Sequence, residues 1–537
     1  VGQVVKTEAS HAFNIGSNPV RVTKKKRHTA CVFSFWCSTF CFAKSGRLRA
    51  GDGTRAGKPA MVSPSHSPFL ATTTHSPPAR SPAGYYCIQE VFMSESIRLS
   101  DHFSYSKLLR FTLPSICMMV FTSIYGVVDG LFVSNFVGKT PFAAINLVMP
   151  FVMILGGMGF MIGTGGTALV SKLLGEGKDD DAQQTFSMMV LFTLLLGLVL
   201  SAVGIAAMPV VSRFLGATDA MMSDCVLYGR IVTGFTFSFM LQNVFQSFFI
   251  AAEKPRLGLL VTVAAGVTNM VLDALFIAVL RWGVAGAAIA TGLSQCVGGV
   301  LPLLYFLRPN SSLLHLRPTA LRLRPILQAC GNGSSELMSN ISSSLVSMLY
   351  NFQLLRLIGE NGVSAYGVLM YVQFIFVAIF IGYSIGCAPV VSYHYGARNH
   401  PELKSLLRKS VLLMAIGGVM LSALARLLAA PLSHLFVGYD ADLCALTTHA
   451  FTLFSWSFLL VGFNIFASGF FTALNNGAIS AAISFLRTLV FQSGAVLLLP
   501  LLLDVDGIWW AITAAECFAF LISAIFLVAK RNKYHYM

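Results

Sequence analysis

The chain has 537 residues, of which 55% are hydrophobic and only 11% are Asp, Glu, Lys or Arg, with a mean hydropathy of +0.72. Soluble domains carry roughly 25% charged residues, so this balance excludes a water-soluble globular protein. The net charge of +15 does not point to nucleic acid either, because the basic residues fall in short loops and in the first hundred positions rather than on one folded face.

Residues 1–92 differ in character from the remainder of the chain. They mix Lys24-Lys25-Lys26-Arg27, an apolar patch from Thr29 to Ala43 and a Pro/Ser/His stretch up to Pro82, without helical period. They read as a disordered or over-extended leader, with a second start at Met93; a targeting segment and a regulatory domain are the other readings.

From residue 100 onward come twelve apolar segments, each long enough to cross a hydrocarbon core of about 30 Å, which takes about 20 helical residues. They fall near 108–133, 142–167, 186–209, 225–250, 257–280, 284–307, 327–355, 363–390, 408–430, 446–474, 478–503 and 507–529. Barrel strands would alternate apolar and polar over about ten residues, whereas these runs are continuously apolar and rich in Leu, Ala and Gly. The expected fold is all-α, an integral membrane protein of twelve transmembrane helices.

Lys and Arg collect in alternate loops. One set holds Lys172, Lys178, Lys254, Arg256, Arg308, Arg317, Arg322, Arg324, Arg398, Lys404, Arg408 and Lys409, with Lys107 and Arg110 before the first span and Lys530, Arg531 and Lys533 after the last. By the positive-inside rule both termini are cytoplasmic.

The chain also repeats itself. Val137-Gly138, Ala144, Met149, Gly165, Val170-Ser171 and Gly175 recur 221 residues later as Ile358-Gly359, Ala365, Met370, Gly386, Val391-Ser392 and Gly396. Phe248-Phe249 and Ala251 return as Phe470-Phe471 and Ala473. The repeat implies two pseudo-symmetric six-helix bundles: an N-lobe over 93–307, a cytoplasmic linker over 308–326, and a C-lobe with a short basic tail over 327–537.

Four carboxylates lie inside the predicted spans: Asp129, Asp273, Glu336 and Glu516. Each costs about 2.5 to 3.5 kcal/mol at a helix centre on insertion scales, so their presence argues for use. Asn269 and Asp273 are four residues apart, stacked on one helix face. An amide oxygen beside a carboxylate suits a hard cation, and equally a carboxylate that alternates between charged and protonated forms. Asn269 read alone is as well explained as helix glue. Asp129 comes after Pro114, which can open the backbone of a spanning helix; a solvated charge at the headgroup level is its other reading.

These residues resemble the multidrug and toxic compound extrusion (MATE) family, in particular its bacterial multidrug-exporter branch. Leu113-Pro114 followed by Tyr125, Asp129 and Phe132 looks like the family's opening helix, and Asn269 through Ile277 looks like its fifth-helix motif, with Ala274 where a proline is usual. Gly283 through Thr291 is similar to the start of the sixth helix, and Arg487, Pro500, Gly507-Ile508-Trp509 and Ala515-Glu516 to the last two. The similarity runs over roughly residues 100–530. It implies a V-shaped pair of bundles in the plasma membrane that expels organic cations or drugs in exchange for H⁺ or Na⁺ by alternating access. It also implies an ion-coupling site of Asp129, Asn269, Asp273 and Thr291, with Glu336 an acid that some members use and Glu516 a recurring acid.

Substrate contacts are harder to read. Met158, Met161, Tyr350, Tyr366, Tyr371 and Gln373 are cavity candidates, because Met is adaptable and aromatic faces attract organic cations. No zinc spacing, HExxH grouping or GxxxxGK[ST] loop occurs, so no metal, no cofactor and no ATP are expected, and the partners are small organic cations or drugs and the bilayer. The chain is expected to act as a monomer and not as an enzyme. The rival readings are a lipid-linked oligosaccharide flippase, which would want a cationic cavity, and an intramembrane enzyme built on Asp129 and Asp273.

Overall fold

The computed structural model describes residues 97–137 and 139–537; the leader at 1–92 lies outside the described residues. Every described element is helical, and the predicted spans are all present as rods. In the first half they are α1 (Tyr105–Phe136), α2 (Lys139–Gly175), α3 (Asp179–Phe214), α4 (Asp219–Gly234) continued by α5 (Thr236–Ala251), α6 (Pro255–Asp273) and α7 (Gly283–Leu307). In the second half they are α8 (Leu323–Leu357), α9 (Glu360–Gly396), α10 (His400–Val437), α11 (Ala441–Phe454) continued by α12 (Phe458–Ala473), α13 (Gly477–Phe485) with α14 (Gln492–Leu498), and α15 (Pro500–Tyr534). Among the described residues ten rods are long and apolar enough to cross a membrane. The other two are α4–α5, broken at Phe235, and α8, which carries Asn332, Glu336, Asn340 and a run of serines.

Local chemistry sets the helix ends. Ser104, Asn399, Asp440 and Asn476 each accept a backbone N–H of the first turn that would otherwise lack a partner, and Pro255 and Pro401 sit in first turns, where no N–H is needed. Four tight turns at one end of the bundle share one device. Gly177, Glu253, Arg398 and Asn475 all have positive φ, and each is followed by a residue whose N–H reaches back to the carbonyl five positions earlier. That is the Schellman closure of a helix, and three of the four residues adopt it without being glycine. Pro114 does not open α1, which runs unbroken through it. Within a spanning helix the lost hydrogen bond is a local cost that neighbouring helices can compensate.

The repeat seen in sequence is a repeat of boundaries. α2 and α9 are each 37 residues long and lie 221 apart at both ends, and the break at Phe235 has its counterpart at the 3₁₀ turn Ser455–Ser457. The halves meet where α2 crosses α8 and α9, and where α1 crosses α9. Gly175 faces the Tyr393 carbonyl while Gly396 faces the Lys172 carbonyl, a reciprocal pair about a pseudo-two-fold axis. A Cβ on Gly175 would lie 2.0 Å from that oxygen and one on Gly396 2.1 Å from its own, so these backbones touch only because no side chain intervenes.

These close approaches gather at the end that carries both described termini, where residues preceding α1 strap the halves together. Leu99 N–H donates to Glu253 Oε1 of the first half at 2.6 Å, Phe103 N–H donates to Glu402 Oε1 of the second at 3.0 Å, and Lys409 Nζ donates to the Phe103 carbonyl. His102 Nδ1 lies 2.5 Å from Glu402 Oε2. Toward the other end, a Cβ on Gly126, Gly130 or Gly367 would meet nothing within 4 Å.

Candidate functional site

Three of the four residues assigned to the first-half site come together. α1 carries Asp129 seven residues before its end, and α6 presents Asn269 and Asp273 one turn apart. The Asn269 and Asp273 side chains both lie within interaction range of the Asp129 carboxyl. Asp273 is fully buried and Asn269 nearly so. α6 changes from α to π geometry immediately after Asp273, over Ala274–Val279. Such bulges disturb the backbone ladder and recur at functional sites.

The pair poses a satisfaction problem. Both oxygens of Asp273, Oδ1 of Asp129 and Oδ1 of Asn269 are buried without a donor. Two ionised carboxylates cannot donate to each other, and a buried acceptor left unpaired costs about 1–3 kcal/mol, more when charged. A proton shared between the acids, or a cation held by these oxygens, resolves it.

Other residues complete the surroundings. Tyr228 on α4 is buried within electrostatic reach of both aspartates. Tyr125, one turn before Asp129, lies within interaction range of Gln242 of α5. Neither Tyr228 nor Gln242 is marked by a sequence signal, since they arrive from helices whose polar residues have many neutral uses. Thr291, the fourth expected member, is half-buried on α7, with its hydroxyl oxygen unpartnered and its carbonyl accepting from Ser294 Oγ at 2.8 Å.

The remaining acids lie in the second half. Glu336 on α8 lines a small cavity of about 20 Å³ at the seam between the halves, with Thr164, Thr167, Ser247, Ser384 and Thr472. Glu516 on α15 is held by Arg487, whose Nε lies 2.9 and 3.1 Å from its two oxygens and Nη2 2.8 Å from Oε1. Asn464 Nδ2 donates to Oε2 as well, at 2.7 Å.

The substrate-cavity candidates are spread over both halves. Tyr350 and Tyr366 stack with centroids 4.8 Å apart and planes at 9°, both buried in the core of the second half. Tyr371 is exposed and stacks on Phe436. Gln373 keeps an unpartnered side-chain oxygen, and Met158 and Met161 pack against the core of the first half.

Comparison with known proteins accords with this architecture. The profile of the MatE family matches residues 114–275 and 337–494, more than half of the chain. "Multidrug export protein MepA" of Staphylococcus haemolyticus (strain JCSC1435) is 22% identical over 436 residues, covering 80% of this chain and 94% of that protein. The protein of the same name from Staphylococcus aureus (strain MSSA476) is 21% identical over 437 residues, 80% of this chain and 94% of its own. Among solved structures, "Crystal structure of MATE in complex with MaL6" superposes with a TM-score of 0.77 at 21% identity, over 82% of this chain and all of that one. "Outward-facing conformation of a multidrug resistance MATE family transporter of the MOP superfamily" gives 0.76 at 22% identity, over 82% of this chain and 99% of that one. With its helical rods, its seam between two halves and a family match in each half, the chain belongs to the MATE family of efflux transporters.

Proposed function

We propose that this transporter is a secondary active antiporter of the plasma membrane, which expels organic cations or drugs in exchange for H⁺ or Na⁺ by alternating access. The observation that carries the proposal is the neighbouring carboxyl pair Asp129–Asp273, buried with orphan oxygens that a shared proton or a bound cation would satisfy. Binding of that ion removes the repulsion between the acids, and its loss restores it, so α1 and α6 are drawn together or pushed apart according to occupancy. Both helices end near the half of the seam where the glycines meet nothing, whereas the terminus-bearing end is closed by glycine contacts and the strap. The arrangement suits a protein resting open on the side opposite its termini. The basic loops on the terminus side make that side cytoplasmic, so the opening faces outward.

The flippase reading is disfavoured by the second half. Arg487, the intramembrane cation beside Glu336 and Glu516, is already neutralised by Glu516. An acid pair is also the chemistry of an intramembrane protease, but ion flux driven by substrate with no covalent product separates the two. Ethidium efflux from cells expressing the chain, with the pH and Na⁺ gradients collapsed separately, tests the proposal. Loss with one gradient alone names the coupling ion, and efflux indifferent to both gradients contradicts antiport.

A further inference from the structure

One cluster in the second half brings two acids and one base together in a low-dielectric setting: Glu336, Glu516 and Arg487. With all three charged the cluster carries one uncompensated negative charge, which is costly so deep in protein and lipid. Glu516 is fully committed here, with both oxygens bound by Arg487 and one also by Asn464. Glu336 has no ion-pair partner among the described residues, yet Arg487 is near enough to act on it electrostatically. Charge balance therefore places the exchangeable proton of the cluster on Glu336, in the seam.

The backbone around Arg487 is unusual in the same way as at Asp273. Residues Leu486–Phe491 form a π-turn between α13 and α14, and Arg487 is its second residue. Among the described residues each half has one π-turn, and each adjoins or contains a charged residue of a spanning helix, although the repeat does not relate them: Asp273 shifted by 222 is Ala495, and Arg487 shifted back by 222 is Ala265. A π-turn contains a carbonyl and an N–H out of register with the α ladder, so a helix can slip there by small backbone adjustments. Glu336 meanwhile faces the contact surface between the halves, with Thr164, Thr167 and Ser247 on the far side, so parting the seam admits water to it.

We propose that Arg487 is a mobile counter-ion shared by Glu516 and Glu336. It pairs with Glu516 while the terminus-side seam is closed and Glu336 is neutral, and it turns at the π-turn toward Glu336 when the seam parts and Glu336 gives its proton to water. Arg487 is thus a positioning residue, linking the protonation of the second half to the state of the seam. The inference rests on the alternating-access reading above.

The test uses the full-length transporter in lipid nanodiscs, with spin labels placed by genetically encoded chemistry at the exposed Lys178 and Ala397, on opposite sides of the closed seam. Double electron–electron resonance then reads the ratio of seam-open to seam-closed molecules. Glu516→Gln is expected to raise that ratio and Glu336→Gln to lower it, each on the order of tenfold, the scale of one charge-assisted hydrogen bond. Shifts in the same direction, or none, overturn the proposal. Should Glu516→Gln fail to insert, the neutral double variant Arg487→Gln/Glu516→Gln decides instead. In that background Glu336→Gln is expected to leave the ratio unchanged, and a shift as large as in the parent overturns the role of Arg487. A parent protein that never populates the longer distance contradicts alternating access itself, a failure distinct from that of the switch.

Discussion

Among single residues, the unsatisfied oxygens of Asp129, Asp273 and Asn269 are the basis of the proposed ion site. Asp129→Asn and Asp273→Asn each supply an amide donor that replaces the shared proton, so the fold is kept while the exchangeable ion is lost. Gradient-driven efflux of ethidium is expected to fall tenfold or more in either variant at unchanged membrane expression, and wild-type rates in both would refute the site. Tyr228→Phe removes a hydroxyl within reach of both acids and is expected to alter the dependence of efflux on the coupling ion while leaving expression intact. Asp129, Asn269 and Asp273 are legible in the sequence because an ionisable residue inside an apolar run is a loud signal and a spacing of four fixes a helix face. Tyr228 and Gln242 are not, because a tyrosine or glutamine in a span has many neutral uses and only packing tells which face it presents. Thr291 shows the reverse: its place in a motif is readable, but a motif does not fix whether a hydroxyl on α7 reaches the acids.

Between helices, glycines decide how closely the halves approach. A Cβ on Gly333 of α8 would lie 1.9 Å from the Met161 carbonyl of α2. Gly333→Ala is therefore expected to force these helices apart, with a destabilisation of about 1–3 kcal/mol, typical of overpacking. Gly126→Ala on α1 meets nothing within 4 Å and is expected to be neutral or slightly stabilising, since alanine is favoured over glycine in helices by up to about 1 kcal/mol. Thermal unfolding in detergent compares the two, and equal effects would contradict the packing. The spans themselves are readable from apolar length, and the repeat from recurring glycines. The inner breaks are not: the π-turns at Ala274 and Leu486 leave no mark in periodicity, and Pro114, which does mark the sequence, leaves α1 unbroken.

Across the transporter, the two halves are joined on the terminus side by a strap whose bonds run to Glu253 in one half and Glu402 in the other. Opening of that side must release at least one of these anchors. Glu402→Gln weakens the bonds to His102 and to Phe103 N–H, and is expected to raise the accessibility of the seam to bulky thiol reagents at a cysteine introduced at Lys172; unchanged labelling would mean that the strap does not hold the seam. The strap is invisible in sequence, because Glu253 and Glu402 lie 154 and 299 residues from the backbone groups they bind. The proposed antiport needs a balance between the closed terminus side and an ion held at Asp129–Asp273: one occupant at a time, each favouring the other's exit. That competition is read by ion release from the purified transporter as ethidium is added, followed with a pH indicator in weak buffer and with a Na⁺ electrode at fixed pH. Stoichiometric release of one of the two ions by the wild type, and of neither by the Asp129→Asn/Asp273→Asn double variant, is the predicted result; ethidium binding to the wild type with neither ion released would contradict exchange at the carboxyl pair.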